Sequence, residues 1–179
     1  MSNLFLLWRQ VLKNPRSLGT IAPSSKYLAQ TLVSAANVSP SQRVVEIGAG
    51  TGPLTNWIWN KVDPKNFFVL EPNPEMARAL RSKFKGIEVS EEVVQNLEAL
   101  CKEKGWEGVD SVLSSLPWSL FPEEVLNDGL KAIHQSLVPS GKVLTLVYSH
   151  AQYFPSSLHL EKKFHEHFEN IYRTRTTWR

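Results

Sequence analysis

Short apolar runs alternate with longer amphipathic segments along most of this chain. The runs are rich in β-branched and aromatic residues, which is typical of buried strands, and they occupy residues 43–47, 67–70, 87–89, 109–114, 142–148 and 170–177. The segments between them predict helices over residues 24–36, 53–59, 74–84, 91–104, 123–137 and 157–167. This alternation predicts an α/β fold, namely a doubly wound, mostly parallel sheet of six to seven strands with helices on both faces.

The N-terminal segment predicts one further, amphipathic helix. Residues 3–13 place on one side of this helix the apolar residues Leu4, Phe5, Leu7, Trp8, Val11 and Leu12. Basic residues lie nearby, at Arg9, Lys13 and Arg16. This composition is typical of a helix in a membrane interface, and the same stripe also fits a helix that packs on the domain. We expect residues 1–16 to form a membrane-association helix and residues 17–179 to form the folded domain.

Size and composition are those of one globular domain. The chain has 179 residues, of which 42% are hydrophobic and 21% are charged. The formal net charge of +3 and the pI of about 9.0 suit an anionic partner, either nucleic acid or an acidic membrane surface. The N-terminal sequence lacks the features of a secretory signal, and no apolar stretch is long enough to cross a bilayer. We therefore expect a cytoplasmic protein.

The sequence offers no set of residues for a metal site. The lone cysteine, Cys101, excludes an internal disulfide and a cysteine-cluster metal site. His165 and His167 are two positions apart on a predicted helix, so they point to different faces and make a poor metal pair. We expect no metal.

A glycine-rich turn follows the first predicted strand, in the stretch VVEIGAGTG over residues 44–52. Glycines leave the backbone free to approach a ligand closely, and the spacing differs from that of the dinucleotide fingerprint. The stretch resembles motif I of the Rossmann-like methyltransferases that depend on S-adenosyl-L-methionine. By that resemblance the loop of Gly48, Ala49, Gly50 and Gly52 wraps the amino-acid end of the cofactor. The acid at Glu46 steadies the loop.

The ends of the second and third strands supply the next candidates. Glu71 ends the second strand beside Pro72, and a carboxylate there can accept hydrogen bonds from a ribose diol, which is the use that the methyltransferases make of it. The family generally offers an acid at the third strand end to the adenine amino group. Glu92 and Val93 are the candidates here, with Gln95 and Asn96 as alternatives.

A second informative stretch follows the fourth strand, where Ser114 and Ser115 precede Leu116, Pro117 and Trp118. It resembles the acceptor loop of amine-directed methyltransferases. In those enzymes the polar side chain and the loop carbonyls hold the acceptor nitrogen, and the aromatic residue stacks beside it. The resemblance implies that Ser115 and Trp118 contact the acceptor and that Ser114 contacts the cofactor. An aromatic residue at Trp118 also fits a plain core position.

Three stretches together resemble the bacterial phospholipid N-methyltransferases, the type that methylates phosphatidylethanolamine at the membrane surface. They are LKNPRSLGTIAPSS, the glycine loop and VDSVLSSLPWSLFP. By this resemblance Gly19, Thr20 and Ile21 cover the methionine end of the cofactor and Tyr27 faces the head group. Tyr27, Tyr148 and His150 are the candidates for a base that removes the ammonium proton.

The resemblance implies methylation of phosphatidylethanolamine and its mono- and dimethyl products, which leads to phosphatidylcholine. The expected partners are the phospholipid substrate and the anionic inner leaflet of the cytoplasmic membrane, where the protein binds peripherally; we expect no nucleic-acid partner. A looser resemblance to ribosomal RNA adenine dimethyltransferases leaves RNA adenine N6-methylation as an alternative. A non-catalytic, cofactor-binding module at a lipid surface is the third interpretation.

Overall fold

A computed structural model of the protein describes residues 24–146 and 155–172. The predictions for residues 1–16, for Gly19, Thr20, Ile21, Tyr148 and His150, and for residues 173–177 lie outside this part. The helices of the described part are α1 (Ser24–Ala36), α2 (Thr55–Ile58), α3 (Pro74–Lys83), α4 (Leu97–Glu103), α5 (Glu123–Ser136) and α6 (Pro155–His167). Its strands are β1 (Val44–Ile47), β2 (Phe67–Leu70), β3 (Glu88–Ser90), β4 (Val109–Ser114) and β5 (Leu137–Thr145).

All five strands form one parallel sheet in the order β3-β2-β1-β4-β5. The chain builds outward from β1 to β3 and then returns to place β4 on the other side of β1. The doubly wound parallel fold is therefore confirmed. The described part has fewer strands than the six to seven predicted, and residues 170–172 at the start of the last predicted strand form none. Ligands of such sheets bind where the strand order reverses, which here is between the carboxyl ends of β1 and β4.

Two apolar cores cover the two faces of the sheet. Successive strand residues point to opposite faces, so Val45 and Ile47 belong to one core and Val44 to the other. Helices α4, α5 and α6 cover the first face, and α1, α2 and α3 cover the second. Because both faces are covered, the central strands β1 and β2 are buried throughout. Among the described helices, none is long and apolar enough to span a membrane.

Local chemistry fixes the ends of several elements. The Asn73 side chain begins α3 by accepting hydrogen bonds from the backbone N–H groups of Glu75 and Met76, and Pro74 occupies the first turn. The helix predicted over residues 91–104 instead begins as a 3₁₀ turn over Val94–Asn96 before α4. The strand predicted from residue 142 instead begins at Leu137, and its register against β4 shifts within residues 137–142.

Candidate functional site

Backbone hydrogen bonds bring three chain segments together at the carboxyl edge of the sheet. The Gly48 N–H donates to the carbonyl oxygen of Leu70 at 2.8 Å, just beyond β1. The Ser115 N–H donates to the carbonyl oxygen of Ile47 at 3.1 Å, just beyond β4. Beyond β2, the Glu71 N–H similarly donates to the end of β3. These bonds extend the strand pairing by one residue, so the glycine loop, Glu71 and Ser115 lie at one edge.

The loop glycines have different surroundings. A side chain at Gly48 would overlap Leu116, and its Cβ would lie 2.9 Å from the Leu116 Cγ. A Cβ at Gly52 would lie 2.8 Å from the Leu80 Cδ2 atom. Around Gly50, whose φ is +56°, no heavy atom lies within 4 Å of the position that a Cβ would occupy. Gly48 and Gly52 therefore admit neighbouring side chains, whereas Gly50 presents bare backbone to open space.

Glu71 holds its carboxylate against this loop. It is 2% exposed, and its Oε2 accepts a hydrogen bond from the Gly50 N–H at 2.7 Å. Its Oε1 accepts from the Asn73 N–H at 3.0 Å. Burial raises the pKa of the Glu71 carboxyl, while the backbone N–H groups of Asn73 and Gly50 oppose that rise. The bare backbone of Gly50 and an oriented carboxylate thus lie side by side.

A second acid, Glu46, lies wholly buried in β1. Its side chain is 0% exposed and both carboxyl oxygens lack a hydrogen-bond partner. Burial raises the pKa of this carboxyl to about 8. The hydroxyl and backbone N–H of Thr55 lie near enough to favour the charged form, although neither makes a hydrogen bond of standard geometry. The Thr55 hydroxyl is also buried without a partner, and its position at the start of α2 was not singled out by the sequence.

Ser114 shapes the loop that follows β4. Its hydroxyl oxygen accepts hydrogen bonds from the Trp118 indole Nε1–H at 3.0 Å and from the Leu116 N–H at 3.2 Å. The serine is wholly buried. The cofactor contact that the resemblance implied for Ser114 is therefore replaced in this structure by a loop-forming role.

Trp118 lies in the core. It is 1% exposed, its ring lies edge-on to Phe121 with centroids 5.9 Å apart, and its Cζ3 would be 3.0 Å from a Cβ at Gly129 of α5. The indole presents no free face to an acceptor. The resemblance implied that Trp118 stacks beside the acceptor, whereas in this structure its ring packs in the core and holds the loop against α5. The neighbouring Ser115 hydroxyl is buried and has no hydrogen-bond partner.

The sequence of this chain matches a known family and known proteins. The profile of a family described as "Ribosomal RNA adenine dimethylase" matches residues 13–98. The "Ornithine lipid N-methyltransferase" of Singulisphaera acidiphila is 37% identical over 145 residues, which cover 79% of this chain and 76% of that protein. The chain belongs to the methyltransferase family of this second protein. Its cofactor is S-adenosylmethionine, as the sequence predicted.

Solved structures agree on the fold of the methyltransferase. A TehB-like S-adenosylmethionine-dependent methyltransferase from Corynebacterium glutamicum superposes with a TM-score of 0.56 at 14% identity, over 89% of this chain and 81% of that one. The S-adenosylmethionine-bound CalS10, an amino pentose methyltransferase from Micromonospora echinaspora, gives 0.55 at 15% identity, over 81% and 57%. At such identities the likeness shows the fold alone.

The residues at the sheet edge fit the cofactor of this methyltransferase. Gly50 leaves room for a ligand against the backbone, and Glu71 offers carboxylate oxygens beside it. Glu46 supplies an unpaired buried acid on the neighbouring strand. Ala49 and Pro72, the remaining predicted contacts in these two segments, are buried and support the loop and the strand end.

The other residues predicted to contact the cofactor or the acceptor lie in different parts of the structure. Glu92 is exposed, and its Oε2 accepts a hydrogen bond from the Asn96 side chain at 2.7 Å. Val93 is partly buried against the core. Tyr27 lies in the first part of α1 and is 53% exposed. Within the described residues, no cluster of acidic, histidine or cysteine side chains has the arrangement of a metal site.

Proposed function

We propose that this methyltransferase transfers a methyl group to the amine of a lipid head group. The observation that carries the proposal is the placement of the Ser115 loop directly beside the glycine loop, with an unpaired serine hydroxyl within it. The ornithine lipid N-methyltransferase named above supports a lipid acceptor. We favour phosphatidylethanolamine and its mono- and dimethyl products, and the amine of ornithine lipid is the second candidate.

The reaction is a displacement in which the amine nitrogen bonds to the methyl carbon as the carbon–sulfur bond breaks. When bound, S-adenosylmethionine supplies a methyl group on a positively charged sulfur. The work left to the protein is to align the reactants and exclude water. The glycine loop and Glu71 orient the donor, and the Ser115 hydroxyl accepts a hydrogen bond from an N–H of the acceptor amine in the two rounds in which the neutral amine still carries one. The ammonium loses its proton before attack, to Tyr27, Tyr148 or His150 or to water.

The N-terminal segment supports action at a membrane surface. Its sequence pairs an apolar stripe with Arg9, Lys13 and Arg16, and each basic group near an anionic leaflet contributes about 1 kcal/mol to binding. We propose peripheral binding to the inner leaflet of the cytoplasmic membrane. Sedimentation with vesicles tests this. We expect the protein to bind anionic vesicles and not neutral ones, and deletion of residues 1–16 should abolish the binding. Equal binding to both vesicle types, unaffected by the deletion, would contradict it.

Transfer of a radiolabelled methyl group identifies the acceptor. Vesicles containing phosphatidylethanolamine, vesicles containing ornithine lipid, and ribosomal RNA are offered in parallel. We expect label in lipid. Label in RNA alone would instead support the adenine methylation that the matching family profile suggests. Cofactor binding with no transfer to any acceptor would support the non-catalytic module.

Substitution of Ser115 tests its assigned role. We expect Ser115→Ala to lower kcat about tenfold while cofactor affinity stays unchanged, since one hydrogen bond to the reacting amine is lost. Ser119→Ala, in the turn that follows the same loop, is the matched control and should retain activity. A Ser115→Ala enzyme with the kcat of the wild type would refute the role.

A further inference from the structure

Leu116 connects the acceptor loop to the glycine loop. Its side chain occupies the space that any side chain at Gly48 would need, and it is 2% exposed. The φ of Gly48 is +75°, a conformation that residues with a Cβ rarely adopt. Position 48 therefore needs a glycine for two reasons, namely its positive φ and the space that the Leu116 side chain fills.

Leu116 is also fixed from the opposite side. Its N–H donates to the Ser114 hydroxyl at 3.2 Å, and its carbonyl oxygen accepts a hydrogen bond from the Trp118 N–H at 3.0 Å. The Trp118 indole in turn donates to Ser114. These bonds hold the backbone of Leu116, and the dense packing around its buried side chain leaves that side chain little room to move away from Gly48.

We propose that Leu116 is a positioning residue that holds the glycine loop and the acceptor loop at a fixed separation. Its backbone is hydrogen-bonded to Ser114 and Trp118, and its side chain packs against Gly48. A methyl transfer depends on the distance between donor and acceptor, and a small misplacement lowers the rate strongly. The role in turnover rests on the proposed function, whereas the link between the two loops does not.

A double-mutant cycle tests the link without any acceptor. Calorimetry measures the affinity for S-adenosylmethionine in wild type, Gly48→Ala, Leu116→Ala and the double variant. We expect Gly48→Ala to weaken binding because it overlaps Leu116 and strains the backbone. The double variant should recover at least tenfold of that loss, since the new methyl group enters the space that the leucine vacated. Additive losses would overturn the proposal.

Hydrogen exchange provides a second measurement that does not depend on Gly48→Ala folding. The N–H groups of Gly48 and Gly50 are both hydrogen-bonded, so we expect their exchange to be slow in the folded protein. We expect Leu116→Ala to speed exchange at these two amides at least tenfold. The control is Leu97→Ala, which truncates an equally buried leucine at the start of α4. Equal acceleration in both variants would mean general destabilisation and would refute the link.

Turnover separates positioning from binding. With lipid as acceptor, Leu116→Ala should lower kcat at least tenfold and change KM less than threefold, and Leu116→Met should restore most of the kcat. An unchanged kcat in Leu116→Ala would overturn the role in turnover. If wild type labels no lipid while the cycle still shows coupling, the proposed function fails and the link stands.

Discussion

Glu46→Gln should remove a pH-dependent loss of stability. Burial raises the pKa of the Glu46 carboxyl from 4.5 to about 8, so the folded protein keeps a proton that the unfolded chain releases between those values. The contribution of Glu46 to stability is therefore intact below pH 4.5 and is lost as the pH rises toward 8. The loss is about 1.4 kcal/mol for each pH unit, hence about 3 kcal/mol at pH 7.

Glutamine has nearly the same shape and carries no ionisable proton, so Glu46→Gln should abolish this slope. Urea unfolding from about pH 5 to about pH 8 measures the free energy of unfolding of both proteins. The difference in favour of the variant should widen steadily over this whole range, because it levels off only above the folded-state pKa of about 8. Glu107→Gln, at an exposed position between α4 and β4, is the matched control and should follow the wild type.

If the profiles of wild type and Glu46→Gln run parallel across this range, the carboxyl does not retain a proton in the folded state, and the assignment of a neutral buried acid under the glycine loop is wrong. The nearby Glu71 charge contributes only a minor part of the raised pKa. A charge-removing change at Glu71 should therefore reduce the slope slightly without abolishing it.

Two further substitutions test the site and its support. Glu71→Gln removes the negative charge beside Gly50 and should weaken S-adenosylmethionine binding at least tenfold by calorimetry; unchanged affinity would remove Glu71 from the cofactor site. Gly129→Ala in an exposed helix would stabilise by about 1 kcal/mol, but here the new Cβ lies 3.0 Å from the Trp118 ring. We expect a loss of about 1 kcal/mol or more in urea unfolding, and a gain would show that the ring moves aside easily.

The fold was predictable where the sequence pattern reflects burial. Strands β2 and β4 were placed at their observed bounds. β2 is a continuous apolar run, and β4 carries Val109, Val112 and Leu113 between turn signals. The predicted start of the fifth strand at residue 142 was wrong, since residues 137–141 also belong to β5 and form its irregular part. That irregularity arises from pairing with β4, which no local pattern records.

Part of the candidate site was likewise predictable from the local sequence, and part depends on contacts between distant residues. The glycine loop and Glu71 follow from local spacing, because a turn without side chains and an acid at a strand end are visible in the sequence. The burial of Trp118 depends on Gly129, and the place of Leu116 depends on Gly48. Both pairs are far apart in the chain. From the sequence alone, an aromatic residue after a strand can equally well contact a substrate or pack in the core. The facing helix decides between the two.

The hydrogen bond between Gly50 and Glu71 has a consequence for how fast the cofactor binds. Each carboxylate oxygen of Glu71 accepts one backbone hydrogen bond and retains a lone pair for another. In the role that the resemblance implies for Glu71, a ribose diol would add its two hydroxyl donors without displacing any bond that the protein already makes. Association would then require no rearrangement of the acid, because two backbone hydrogen bonds orient the carboxylate before the ligand arrives.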